Sequence, residues 1–179
     1  MSTLPPLPFE SPATPADLEA MAIQLGRPMR GVVSIARRCA CGRPAVVRTQ
    51  PRLPDGTPFP TSLYLTLPSL THAVSRLEAD GRMAELSAAL LEDEELAAGY
   101  AAAHRRYLER RGELGEVEEI SEFSAGGMPT RVKCLHALIG QGLAEGPGIN
   151  PVADLVLAEV APSASIDVCR CEQAGEGTV

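Results

Sequence analysis

The chain has 179 residues, of which 45% are hydrophobic and 3% aromatic; tryptophan is absent and the net charge is −7. Such a chain can bury one core, built from Ala, Leu, Val and Ile. No run approaches the roughly 18 apolar residues of a membrane helix, and the acidic balance argues against a general nucleic-acid binder.

The opening "MSTLPPLPFESPATP" has no basic start and no apolar run, so it does not read as a secretory signal, and a cytoplasmic location is expected. Residues 1–13 are Pro-rich and read as a disordered tail. "TPADLEAMAIQLGR" follows with Thr14 as N-cap, Pro15 at the first helical position and Gly26 as a stop, which predicts a short helix. "RGVVSIARRC" and "PAVVRTQPRL" are β-branched runs separated by "ACGR", which predicts a hairpin. "LPDGTPFPTSLYLTLP" starts on an Asp55-Gly56 turn, and its prolines keep it extended into a third strand near 62–67. "SLTHAVSRLEADG", "RMAELSAALLED" and "EELAAGYAAAHRRYLERRGEL" read as helices, followed by the acidic connector "GEVEEISEF". A helix is predicted over 129–144, and another over "NPVADLVLAEV" with Asn150 as cap and Pro151 at its first position. The expected fold is α+β: a small antiparallel sheet of about three strands covered by five or six helices. One domain is expected over 14–160, with a flexible tail at 161–179.

Charge is unevenly spread. Between Arg27 and Pro54 lie seven arginines and no acidic residue, so the remainder carries −14. Either this segment packs against acidic helices or it faces an anionic ligand.

The stretch "SAGGMPTRVKCLHALIG", residues 124–140, sets two glycines and a proline before a predicted helix that carries Arg131, Lys133, Cys134 and His136. Cys134 and His136 are two positions apart, about 200° around a helix, so within one helix they share neither a metal ion nor a proton. Cys39 and Cys41 share a face of a strand, but with Cys134 they would still need a fourth ligand such as His104 or His72. Cys169 and Cys171 fall in the expected tail. No metal or other cofactor is therefore assigned. The anion reading is the most developed: Gly126 and Gly127 allow close backbone approach, and a helix starting at Pro129 offers free N–H groups beside Arg131 and Lys133. On the long helix Tyr100, His104, Tyr107 and Arg111 form one stripe, which either lines a pocket or makes a half-buried seam.

The strings "RRCACGRPAVV", "LPDGTPFPTSLYLT", "SAGGMPTRVKCLHALIG" and "GPGINPVAD" together resemble the family known as domain of unknown function 501, found largely in actinobacteria. The resemblance runs from about Leu18 to Val160. It carries no established activity, and its genes often neighbour those for enolase, a septum-formation initiator and an exopolyphosphatase-like enzyme. The family pattern falls on Arg38, Cys39, Gly42 and Pro44, on Asp55, Gly56, Pro58, Phe59, Pro60, Thr61 and Tyr64, on His104 and Tyr107, on residues 126–129 and 131–136, and on Asn150, Pro151 and Asp154. Cys41, Cys169 and Cys171 lie outside it. The residues expected to hold a small phosphorylated or carboxylate ligand are Arg38, Asp55, Thr61, Tyr64, His104, Tyr107, Gly126, Gly127, Arg131, Lys133 and His136. The alternatives are a non-enzymatic protein-interaction module linked to septum formation, with a protein partner, and a zinc-stabilised scaffold.

Overall fold

The structure, a computed structural model, describes residues 4–171. Four strands form one antiparallel sheet in sequence order: β1 (Ser11–Pro12), β2 (Val32–Arg38), β3 (Pro44–Thr49) and β4 (Leu63–Leu65). Six helices accompany it: α1 (Pro15–Leu25), α2 (Pro68–Ala79), α3 (Arg82–Glu92), α4 (Glu94–Gly112), α5 (Leu135–Glu145) and α6 (Pro151–Val160). The α+β expectation holds. Among the described residues no helix is long and apolar enough to cross a membrane.

Every residue of β3 is buried, because both faces of the sheet are covered. On one face the cross-strand partners Ile35 and Val47 pack with Met21 of α1. On the other, Ala36, Val46, Leu63 and Leu65 enter the main core with α2, α4, α5 and α6. A strand covered on both sides has no polar face to show, hence the unbroken "PAVV".

At the centre of that core lies α5, buried from Ala137 to Glu145. Its sequence, LHALIGQGLAE, has no polar stripe, as expected of a helix enclosed on all sides. Two glycines let it come close to its neighbours. A Cβ at Gly140 would sit inside the van der Waals shell of the Leu63 carbonyl oxygen on β4, and one at Gly142 would lie 2.8 Å from the Ala153 Cβ on α6. The polar atoms enclosed with α5 are satisfied in a chain. Gln141 donates to the Ala103 carbonyl at 3.0 Å and accepts from Asn150 at 2.9 Å, and Asn150 caps α6 through the Ala153 N–H. Glu145, whose side chain has no exposed surface, is bonded by Arg106 and lies 3.5 Å from Arg110.

Parts of both terminal segments, among the described residues, pack on the domain. Leu7 is buried, and Ser11 and Pro12 pair with Ile35 and Ser34. After α6 the chain returns to the sheet with Ala164 and Ile166 buried. Residues 1–3 and 172–179 lie outside the described residues.

Candidate functional site

The anion seat expected at Pro129 is built differently, and the chain itself fills it. Gly126 and Gly127 take φ values of +67° and +90°, and the loop closes on itself through Lys133 N–H to the Gly126 carbonyl at 2.7 Å and Arg131 N–H to the Gly127 carbonyl at 3.2 Å. A Cβ on Gly127 would meet the Arg131 carbonyl oxygen at 2.7 Å. The close approach these glycines permit is therefore to their own loop.

Six residues later than predicted, α5 begins at Leu135, with Cys134 as an extended N-cap (φ −152°, ψ 110°). A thiol is a weak acceptor, so the cap comes from another helix: Glu78 of α2 accepts from the Leu135 N–H at 2.7 Å. The same carboxylate oxygen lies 3.1 Å from His136 Nδ1. Because Cys134 is outside the helix, the 200° argument does not apply, and ligand atoms of Cys134, His136 and Glu78 gather within 4.8 Å of one another. The Cys134 sulfur and the Glu78 charge outweigh burial and push the His136 pKa up to about 9. His136 Nε2 in turn faces the Thr71 carbonyl at 3.2 Å and the Ser75 hydroxyl at 3.3 Å. An imidazolium whose two N–H groups both meet acceptors of the protein is a clamp between α2 and α5. It leaves no nitrogen free to take a proton from Cys134.

The remaining predicted residues do not converge on it. Arg38 makes a two-pronged pair with Asp17 at 2.7 and 3.0 Å, and its other donors reach Ser11 Oγ, the Pro12 carbonyl and the Gly42 carbonyl. That arginine ties β2 to β1 and α1, and Asp17, itself part of the α1 capping box, has its pKa well below the usual carboxylate range because of it. Asp55 closes its own turn on the Thr57 N–H and pairs with Arg30 at the surface. Thr61 offers its carbonyl to Thr49 Oγ1, and Tyr64 packs near Phe59. The Tyr107 hydroxyl, fully buried, accepts from Ser62 N–H at 2.8 Å and Leu63 N–H at 3.3 Å. His104 Nδ1 is 2.9 Å from Ser124 Oγ, with burial and the nearby Arg105 and Arg111 lowering its pKa. Tyr100 donates to the Arg131 carbonyl, and Arg111 to the carbonyls of Pro60, Phe123 and Ile120. The stripe is a largely buried seam that fastens loops; of its four members Arg111 lines a cavity, the hollow at the end of α4. Arg131 and Lys133 lie exposed, outside the principal cavities.

The arginine-rich segment meets mostly the chain's own carboxylates. Arg30 pairs with Asp55, Arg38 with Asp17, Arg48 with Glu10 and Glu113, and Arg52 with Glu119. Arg37 differs. Its guanidinium lies 3.5 Å over the Phe9 ring, and among the described residues it has no carboxylate within ion-pair distance. Burial lowers its pKa, and the charge of Asp167 at longer range acts the other way.

Arg37 and Phe9 stand at the edge of a groove of about 510 Å³. Its floor comes from α2, α5 and α6 through Leu70, Gly142, Leu143 and Leu157, and one wall is the returning segment with Ala164 and Ile166. The volume falls in the range of small-molecule sites, and the lining is mostly apolar, with Arg37, Asp154, Ser165 and Asp167 as its polar side chains. A larger hollow of about 1000 Å³ at the end of α4 is lined by Glu109, Glu113, Glu116 and Glu118 with Arg111, a more acidic setting for an anion.

A family model described as "Protein of unknown function (DUF501)" matches residues 35–158, more than two-thirds of the chain. The chain belongs to that family. The match includes Arg37 and the α2, α5 and α6 floor of the groove, and it ends before the segment that forms the wall. No curated protein and no solved structure matches the chain significantly. No signal in the sequence separated Arg37 from its six neighbouring arginines, because its distinction is its place over Phe9 beside the groove, which only folding decides.

Proposed function

We propose that the protein binds a small molecule with an apolar body and one carboxylate or phosphate group in the groove beside Arg37. The observation that carries this reading is a guanidinium without an ion-pair partner among the described residues, stacked on Phe9 at the rim of an apolar groove of about 510 Å³. A partly desolvated arginine gains from a planar, two-pronged anion, and the stacking fixes its plane without using its N–H donors. The ligand class is the one the composition suggested; the residues are Arg37, Phe9, Leu143 and Leu157 in place of Arg131, Lys133 and His136.

The test is amide NMR titration at low ionic strength with octanoate and with phenyl phosphate. Shifts at Gly142, Gly146 and Ala164 are expected, with affinity falling about tenfold or more in Arg37→Met and in Ala161→Trp, which crowds the rim. If neither probe moves those amides, the reading fails. A stoichiometric protein partner perturbing the same amides would replace it with the interaction module.

A further inference from the structure

Two Cys-x-Cys pairs, distant in sequence, meet at one end of the sheet. Cys39 and Cys41 lie on the tight turn between β2 and β3, in which Cys39 N–H bonds the Arg43 carbonyl at 2.9 Å and Gly42 N–H bonds the Cys39 carbonyl at 2.8 Å. The segment after α6 docks on that turn: Ala40 N–H donates to the Ile166 carbonyl at 2.7 Å, and Ile166 is buried. A few residues further on, Cys169 and Cys171 arrive beside the turn. The four Sγ atoms all lie within 4.8 Å of one another, with Cys41 to Cys171 at 3.6 Å and Cys39 to Cys171 at 3.8 Å.

Those spacings discriminate between chemistries. A disulfide brings two sulfurs to about 2.05 Å. Four thiolates about 2.3 Å from a central zinc ion form a tetrahedron with edges of about 3.8 Å. Four thiols crowded together with only weak S–H donors have little reason of their own to gather, and one of them, Cys39, is buried. We infer that Cys39, Cys41, Cys169 and Cys171 bind one zinc ion in a closed, structural site of four thiolates. Binding replaces four S–H bonds by four S–Zn bonds, releases four protons and leaves a net charge of −2 on the centre. No redox step is involved. The ion staples the returning segment, and with it one wall of the groove, to the β2–β3 turn. Spacing rules did not suggest this site, because each pair alone is a two-residue fragment and the second falls beyond the family match.

The full chain, purified under reductant without chelator, is expected to contain about one zinc per molecule by elemental analysis. Exchange for cobalt should give thiolate-to-cobalt charge transfer and the visible bands of a tetrahedral ion. The Cys169→Ser/Cys171→Ser double variant, altered near the chain end, should lose at least nine-tenths of the metal with its far-ultraviolet circular dichroism unchanged, whereas Cys134→Ser keeps it all. A folded wild type that binds no zinc in competition with a chromophoric chelator overturns the inference. So does zinc that persists in the double variant, stoichiometric iron instead of zinc, or Cys39/Cys41 to Cys169/Cys171 disulfides in protein kept reduced. Metal content is read without any groove ligand, so the two proposals fail separately.

Discussion

His136 makes stability depend on pH in a direction that can be worked out beforehand. Its pKa in the folded protein is about 9, against an ordinary value of 6.5, because the Cys134 sulfur and the Glu78 carboxylate favour the protonated ring. A raised pKa means that the folded state holds the proton more tightly than the unfolded chain. The stabilisation is therefore fully present below about pH 6.5 and is lost as pH climbs through about 9. A shift of this size corresponds to a ceiling of about 3 kcal/mol at roughly 1.36 kcal/mol per unit. The side chain is 25% exposed, so solvent screening trims that figure. Glu78→Gln keeps an oxygen to cap the Leu135 N–H but removes the charge. Imidazole NMR follows the ring directly, since the chain has three histidines. In the wild type His136 should titrate well above His104, whose pKa is depressed. In the variant it should fall toward the ordinary range. Urea unfolding at about pH 6 and about pH 9.5 should show a loss of stability that is larger in the wild type than in Glu78→Gln, isolating this pair from other titrating groups. If His136 titrates at or below 6.5, or the two proteins lose stability in parallel, the clamp between α2 and α5 is not electrostatic.

Other substitutions probe the packing. Gly140→Ala pushes a methyl group into the Leu63 carbonyl, so α5 must move off β4; a loss of about 3 kcal/mol or more in denaturant unfolding is expected, where an ordinary helix would gain from alanine. Tyr107→Phe leaves the Ser62 and Leu63 N–H groups without their buried acceptor and should cost about 1–3 kcal/mol by the same assay. Asp17→Asn removes the carboxylate that holds Arg38 and closes the α1 capping box. Because the Asp17 pKa is depressed, the stability it confers is present above about pH 4 and lost in acid, so wild type and variant should converge in stability as pH falls below that point.

What could be read from the sequence was local. Thr14, Pro15 and Gly26 bound α1, and Asn150 with Pro151 opens α6, because each signal involves groups within a few residues of one another. The start of α5 was misplaced for the opposite reason. Pro129 imitates a first helical residue, but Val132 N–H goes to Ser87 Oγ and Lys133 N–H to Gly126, and the actual cap, Glu78, stands 57 positions earlier. β1 has two residues and no pattern of its own; its pairing with β2 defines it.

The arginine-rich stretch shows why composition alone overstates anion binding. Seven positive charges without an acidic neighbour in sequence suggest a basic face, yet folding brings Asp17, Asp55, Glu10, Glu113 and Glu119 onto four of them. Paired guanidiniums of this kind cost an incoming anion the energy of displacing a carboxylate already in place, and two-pronged pairs such as Arg38 with Asp17 are the hardest to displace. Arg37 sits one residue before Arg38, and the register of β2 on β3 is irregular on both sides of Arg37, as at a bulge, which re-aims side chains. Arg38 turns toward α1 and its aspartate, while Arg37 turns to Phe9 and the groove. The irregular register around Arg37, rather than the number of arginines, decides which guanidinium reaches the groove.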